Sequence, residues 1–140
     1  MGEGVGHLDL ESIWLFSGCS QAELRRIRRA LTEVTVPAGT LLVEEGTPGL
    51  LFFVVVDGKA AVQRGGRTVG TLGPGDQFGE LSLLDREPRS ASVVSDTDMD
   101  LLVLRQGPFQ GILRSSPSIS RKLLCTLAGR LREVEGLIYG

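Results

Sequence analysis

Apolar positions change their period twice along the chain. Behind Ser20-Gln21-Ala22-Glu23, a capping box whose serine and glutamate satisfy helix-start amides, Leu24, Ile27 and Leu31 recur at helical spacing. A shorter amphipathic run, Leu8 to Phe16, precedes it. From Glu33 to Leu104 short apolar runs alternate with glycine-rich breaks: Pro37-Ala38-Gly39, Glu45-Gly46, Asp57-Gly58, Gly65-Gly66 and Gly73-Pro74-Gly75-Asp76. Breaks about every 8 to 12 residues predict an antiparallel sandwich or barrel of about eight strands. Leu50 to Val56 is uninterrupted rather than alternating, which predicts a strand buried on both faces, with helices over one of them. Ser90 to Val94 and Met99 to Leu104 are expected to form a last hairpin across residues 95–98. Helical spacing then returns. Gly107-Pro108 opens a helix through Leu113, and Ser116-Pro117 supplies a cap and a first-turn proline for a longer one. Along it Ile119, Leu123, Leu127, Leu131, Val134 and Ile138 make one apolar stripe, with Gly136 a weak point near the end.

Composition narrows the function classes. At 140 residues the chain holds one domain, and a net charge of −2 argues against bulk attraction to nucleic acid or an anionic membrane. The longest apolar run is far short of the roughly 20 residues that span a bilayer, and no signal-peptide pattern precedes it, so a soluble cytoplasmic protein with no membrane segment is expected. Residues 1–7, rich in glycine, are expected to fray, and they hold His7, the one histidine. A single histidine, with Cys19 and Cys125 far apart, leaves no metal set and no Ser-His or Cys-His pair, so neither a metal cofactor nor enzyme activity is expected. Both cysteines are expected to be free thiols packed as small apolar residues. Arg25, Arg26, Arg28 and Arg29 give the first helix a solvated basic face.

The chemistry concentrates in FGELSLLDREPRSASV, residues 78–93. Gly79 lets the backbone approach a ligand, and the stretch from Glu80 to Leu84 suits one helical turn whose amides face an anion. Pro88 fixes the backbone before Arg89, whose planar guanidinium can grip two oxygens of a phosphodiester. Glu80 would repel a phosphate, so its carboxylate suits a sugar hydroxyl instead. Phosphate and ribose together point to a nucleotide. The segment resembles the phosphate-binding cassette of the cyclic nucleotide-binding domain family, with the pattern F-G-E-x-x-L, a spacer, and P-R-[SAT]-A-x-V. Gly39, Gly46, Gly58, Gly75 and Gly79 fall where that family has its structural glycines, so the likeness covers nearly the whole chain.

The resemblance implies a mainly β fold with flanking α: an eight-stranded antiparallel β-roll (a double-stranded β-helix jelly roll) with an N-terminal helical segment and C-terminal hinge and lid helices. One domain would fill residues 8–140, with helices at 8–32, the roll at 33–105 and the hinge and lid helices at 106–140. Its ligand is a cyclic nucleotide, held by Gly79, Glu80 and Arg89, with backbone help from Leu81 and Ser82 and side-chain or amide help from Ser90 and Ala91. The Ser90 hydroxyl suits an equatorial phosphate oxygen or the exocyclic amine of a syn guanine. Family members with Arg-Ser at this place favour adenine, so cyclic AMP is expected over cyclic GMP. The C-terminal helix would close over the base, with Leu137, Ile138 or Tyr139 as its apolar cap. No recognition helix follows, so a sensor acting on a fused effector or a protein partner is expected, without direct nucleic-acid contact. The rival reading is a protein-interaction module whose nucleotide pocket is degenerate, working through the basic face or the long helix's stripe, which also suits pairing as a homodimer.

Overall fold

A computed structural model describes residues 10, 13–49, 51–79 and 88–139. Among these the chain runs through a 3-10 turn, Trp14–Phe16, and helix α1, Gln21–Ala30. Eight strands follow: β1 Leu31–Val36, β2 Leu41–Val43, β3 Leu51–Asp57, β4 Ala60–Arg64, β5 Arg67–Leu72, β6 Gln77–Phe78, β7 Ser92–Ser95 and β8 Met99–Arg105. Helices α2, Gln106–Ser115, and α3, Pro117–Tyr139, end the fold. The strands form two four-stranded antiparallel sheets, in the orders β1-β8-β3-β6 and β2-β7-β4-β5.

Strand β3 is the shared wall of two cores, as its unbroken apolar run predicts. Phe52 and Val54 face a helical core with Phe16, Ile27, Phe109, Ile119 and Leu123; Phe53 and Val55 face the other sheet with Val93, Met99 and Leu101. Phe16 meets Phe52 edge to face at 5.9 Å between ring centres, and Phe53 stacks on Phe78 at 4.7 Å. Burying these rings stabilises the fold by about 1.5–3 kcal/mol each.

Three sequence expectations are corrected. Leu31, placed on the first helix by its spacing, is the first residue of β1 and pairs with Leu104. Its backbone is extended, and the alternation through Thr32, Val34 and Val36 prevails over one more turn of helix. The strands on either side of residues 95–98 do not form a hairpin. Strand β7 pairs with β2 and β4, whereas β8 pairs with β1 and β3, so the chain crosses between sheets at this corner. The Lys59 carbonyl accepts the amides of Asp96 and Thr97 there, at 2.9 and 3.3 Å, and Gly58, at φ +95°, leaves room for Asp98 and Met99. Finally, Cys19 and Cys125 are both free, but only Cys19 is packed; Cys125 is exposed on α3.

Candidate functional site

Arg89 is held at both ends. Its amide donates to the Thr47 carbonyl and its carbonyl accepts from the Gly46 amide, each at 2.8 Å, extending the isolated antiparallel bridge between Pro48 and Pro88. The turn that receives it is fixed in turn: Thr47 Oγ1 donates to the Glu44 carbonyl at 2.7 Å, and the Glu45 amide donates to Ser92 Oγ at 2.8 Å. At the far end of the side chain, Nη2 donates to the Leu51 carbonyl at 2.6 Å. The guanidinium therefore stands in a fixed direction beside the start of β3, which lowers the ordering cost of gripping an anion.

Gly79 makes that position available. It has φ +83°, and a Cβ there would collide with Arg89 Nη1 and the Leu51 carbonyl. Phe78, stacked on Phe53, fixes the strand that delivers Gly79 to this place. What the geometry shows for the glycine read as a ligand-approach position is that it leaves space for the arginine itself.

A cavity of about 490 Å³ opens next to Arg89, lined also by Leu41, Leu42, Val43, Glu44, Thr47 and Leu51. Its size lies within the range of about 300–1,000 Å³ usual for small-molecule sites. The apolar wall from β2 and the single arginine together suit a ligand with a flat apolar part and an anionic part. Nothing in the sequence marked β2, the Glu44–Pro48 turn or the Leu51 carbonyl for this place. They lie about forty positions from Arg89 and contribute largely through backbone groups, which leave no signature in residue type.

Of the other residues assigned to the site, Glu80, Leu81 and Ser82 lie outside the described residues. Ser90 is exposed, and its carbonyl accepts from Arg64 Nε at 3.1 Å; Ala91 is half-buried where the chain enters β7. Leu137 and Ile138 are exposed on the last turn of α3, and Tyr139 is its final residue. Among the described residues, no group of three or more His, Cys, Asp and Glu side chains gathers to hold a metal, and no helix is long and apolar enough to cross a membrane.

The base of α3 is fastened to α1 through one carboxylate. Glu23 accepts from the Ser20 amide at 2.7 Å, closing the capping box, and it also accepts from Ser118 Oγ at 2.6 Å and pairs with Lys122. The Lys122 ammonium, the Ser118 hydroxyl and the Ser20 amide lower its pKa to about 2.

The two sheets thus set one arginine among the residues that line an apolar-walled cavity. The family model described as "Cyclic nucleotide-binding domain" matches residues 33–116, more than half of the chain. The chain belongs to the cyclic nucleotide-binding domain family. It is 42% identical over 106 residues to a cyclic nucleotide-gated potassium channel of Mesorhizobium japonicum, covering 76% of this chain and 29% of the channel. It is 36% identical over 126 residues to the cyclic AMP receptor protein of Thermus thermophilus, covering 86% of this chain and 58% of that protein. Among solved structures, the N-terminal domain of a transcriptional regulator from Streptomyces coelicolor superposes with a TM-score of 0.85 at 33% identity, covering 94% of this chain and 96% of that one. The chain thus spans less than two thirds of the length of either curated relative.

Proposed function

We propose that this domain is a sensor that binds a cyclic nucleotide, cyclic AMP in preference to cyclic GMP, and converts binding into movement of α3 that acts on a fused effector or a protein partner. The observation that carries the reading is Arg89, bonded to the Leu51 carbonyl beside Gly79 and lining the cavity. In this reading the guanidinium meets the cyclic phosphate, together with the backbone of the Glu80–Ser82 stretch and Ser90 and Ala91. The Glu80 carboxylate accepts from the ribose 2′-hydroxyl, and the β2 wall of Leu41, Leu42 and Val43 lies beside the apolar part of the ligand. Ser90 after the arginine supports adenine, as does the name of the relative in Thermus thermophilus, a cyclic AMP receptor protein. The cap over the base comes from Leu137, Ile138 or Tyr139 if α3 moves inward, since a ligand can shift that equilibrium only by binding one position better than the other.

Isothermal titration of the domain with cyclic AMP and cyclic GMP tests the reading, with Arg89→Ala as the decisive variant. Micromolar or tighter binding of cyclic AMP, stronger than that of cyclic GMP, is expected, and the substitution should cost about 2–5 kcal/mol of it. A loss of tenfold or less would mean that turn amides, not Arg89, carry the phosphate. Failure of both nucleotides to bind the unaltered domain would leave an interaction module with a degenerate pocket.

A further inference from the structure

A second cavity, of about 420 Å³, opens on the helical side of the molecule, and among the described residues it has no lining residue in common with the one beside Arg89. It lies between the loop that enters α1 and the first turns of α3, lined by Gly18, Ser118, Arg121, Lys122, Cys125 and Thr126. The α3 residues fall three or four apart, so one face of the helix makes a wall. Gly18 stands against that wall: a Cβ added to it would lie 3.7 Å from Thr126 Oγ1 and 3.9 Å from Lys122 Cβ. The hydrogen bonds of the wall decide what it can hold. Thr126 Oγ1 donates to the Lys122 carbonyl at 3.0 Å and Ser118 Oγ to Glu23 at 2.6 Å, so neither hydroxyl has a proton left to offer. The Glu23 charge is matched by Lys122. Arg121 differs: it is exposed, and among the described residues no hydrogen bond or ion pair engages its guanidinium. The wall therefore presents one unmatched positive charge with a fork of N–H donors, beside the aliphatic stems of Arg121 and Lys122 and the Cys125 side chain.

We propose that this cavity binds a small organic anion, a carboxylate or phosphate ester on a flat apolar body, with Arg121 gripping the anionic oxygens and the apolar part lying against Gly18 and Cys125. A planar guanidinium without a partner suits two such oxygens at once. The same charge disfavours a cation, and a neutral acceptor would gain less from it than an anion does. A flat group can lie close to the Gly18 backbone because no side chain stands on it. The volume falls within the range of about 300–1,000 Å³ usual for small-molecule sites. An occupant touches both the entry to α1 and the wall of α3, the two segments that Glu23 already joins, so its binding fastens the base of the long helix from outside the nucleotide site. The site does not depend on nucleotide.

Amide NMR of the unliganded 140-residue chain, titrated with phenyl phosphate and with benzoate, tests it. Saturable shifts at residues 17–19 and 118–126 are expected at millimolar or tighter affinity, and the better of the two probes names the anionic group. Benzylamine, a similar ring with a positive charge, should give none. Arg121→Gln, at an exposed position, should leave circular dichroism and the melting midpoint unchanged and weaken the better probe about tenfold. Arg67→Gln, which removes the same charge from exposed β5, should not weaken it. The free, exposed Cys125 thiol gives an independent readout: neutral iodoacetamide should label it several-fold more slowly under saturating probe, while buried Cys19 stays unlabelled. No saturable shift at about 10 mM of either anion, shifts confined to residues 41–48 and 89, or an equal response to benzylamine would overturn the proposal. So would unaltered affinity in Arg121→Gln, an equal loss in Arg67→Gln, or unchanged labelling of Cys125.

Discussion

One methyl group at position 79 tests the site more sharply than a change to any charge. In Gly79→Ala the new carbon meets Arg89 Nη1 and the Leu51 carbonyl well inside van der Waals distance, at a φ of +83° that L-residues avoid. The backbone strain alone should cost about 1–2 kcal/mol of stability, measurable by urea denaturation. Binding should fall further than stability does, because the guanidinium is the flexible partner and must swing off the Leu51 carbonyl. A Gly79→Ala domain that stays folded and keeps its affinity for cyclic AMP would show that the placement of Arg89 on Leu51 is irrelevant to the ligand. At this scale the sequence was informative about side chains and silent about backbone. The proline, arginine and glycine types are what made an anion grip the sequence expectation, since few other pressures set a fixed φ, a planar cation and a bare Cα so close together. The groups that aim the arginine are the carbonyls of Thr47 and Leu51 and the amide of Gly46, and any residue type could have supplied them.

Between elements, Glu23 is the residue with most to lose. It accepts the Ser20 amide at the start of α1 and at the same time holds Ser118 and Lys122 of α3, so its carboxylate is stabilised in the folded state and its pKa lies near 2 rather than the ordinary 4.5. A folded-state pKa below the unfolded one means that the contribution is present above about 4.5 and is lost as the pH falls towards 2. Glu23→Gln should therefore cost about 2 kcal/mol at neutral pH and flatten the acid limb of a stability profile between those values. An unchanged acid limb in denaturant titrations would assign the acid sensitivity elsewhere. The capping box was legible because its two partners are three residues apart; the bonds to Ser118 and Lys122 were not, since they span more than ninety residues. Helix spacing likewise fitted Leu31 as well as any residue before it. Only pairing with Leu104 across the sheet decides that Leu31 begins a strand, and a pairing partner is not visible in a local window.

For the whole molecule, the order of strands was less legible than their number. Residues 90–94 and 99–104 read as the arms of a hairpin because turn formers separate them, yet the same turn formers serve a corner between two sheets once Lys59 takes the amides of Asp96 and Thr97. The long helix shows the same limit. Its stripe reads as continuous, but its near half is buried and its far half stands clear of the domain. That division bounds where the proposed signal could travel. The first turns of α3 are tied down by Glu23, Ile119 and Leu123, so only the stretch beyond Leu127 can change its surroundings cheaply when a ligand binds. Hydrogen exchange on saturation with cyclic AMP should thus leave residues 117–123 as protected as before and slow the amides of 131–139 several-fold, as an exposed helix end is drawn over the base. Nucleotide binding by titration with no change at 131–139 would keep the ligand and remove the moving helix, and the output would then have to leave through the cassette itself.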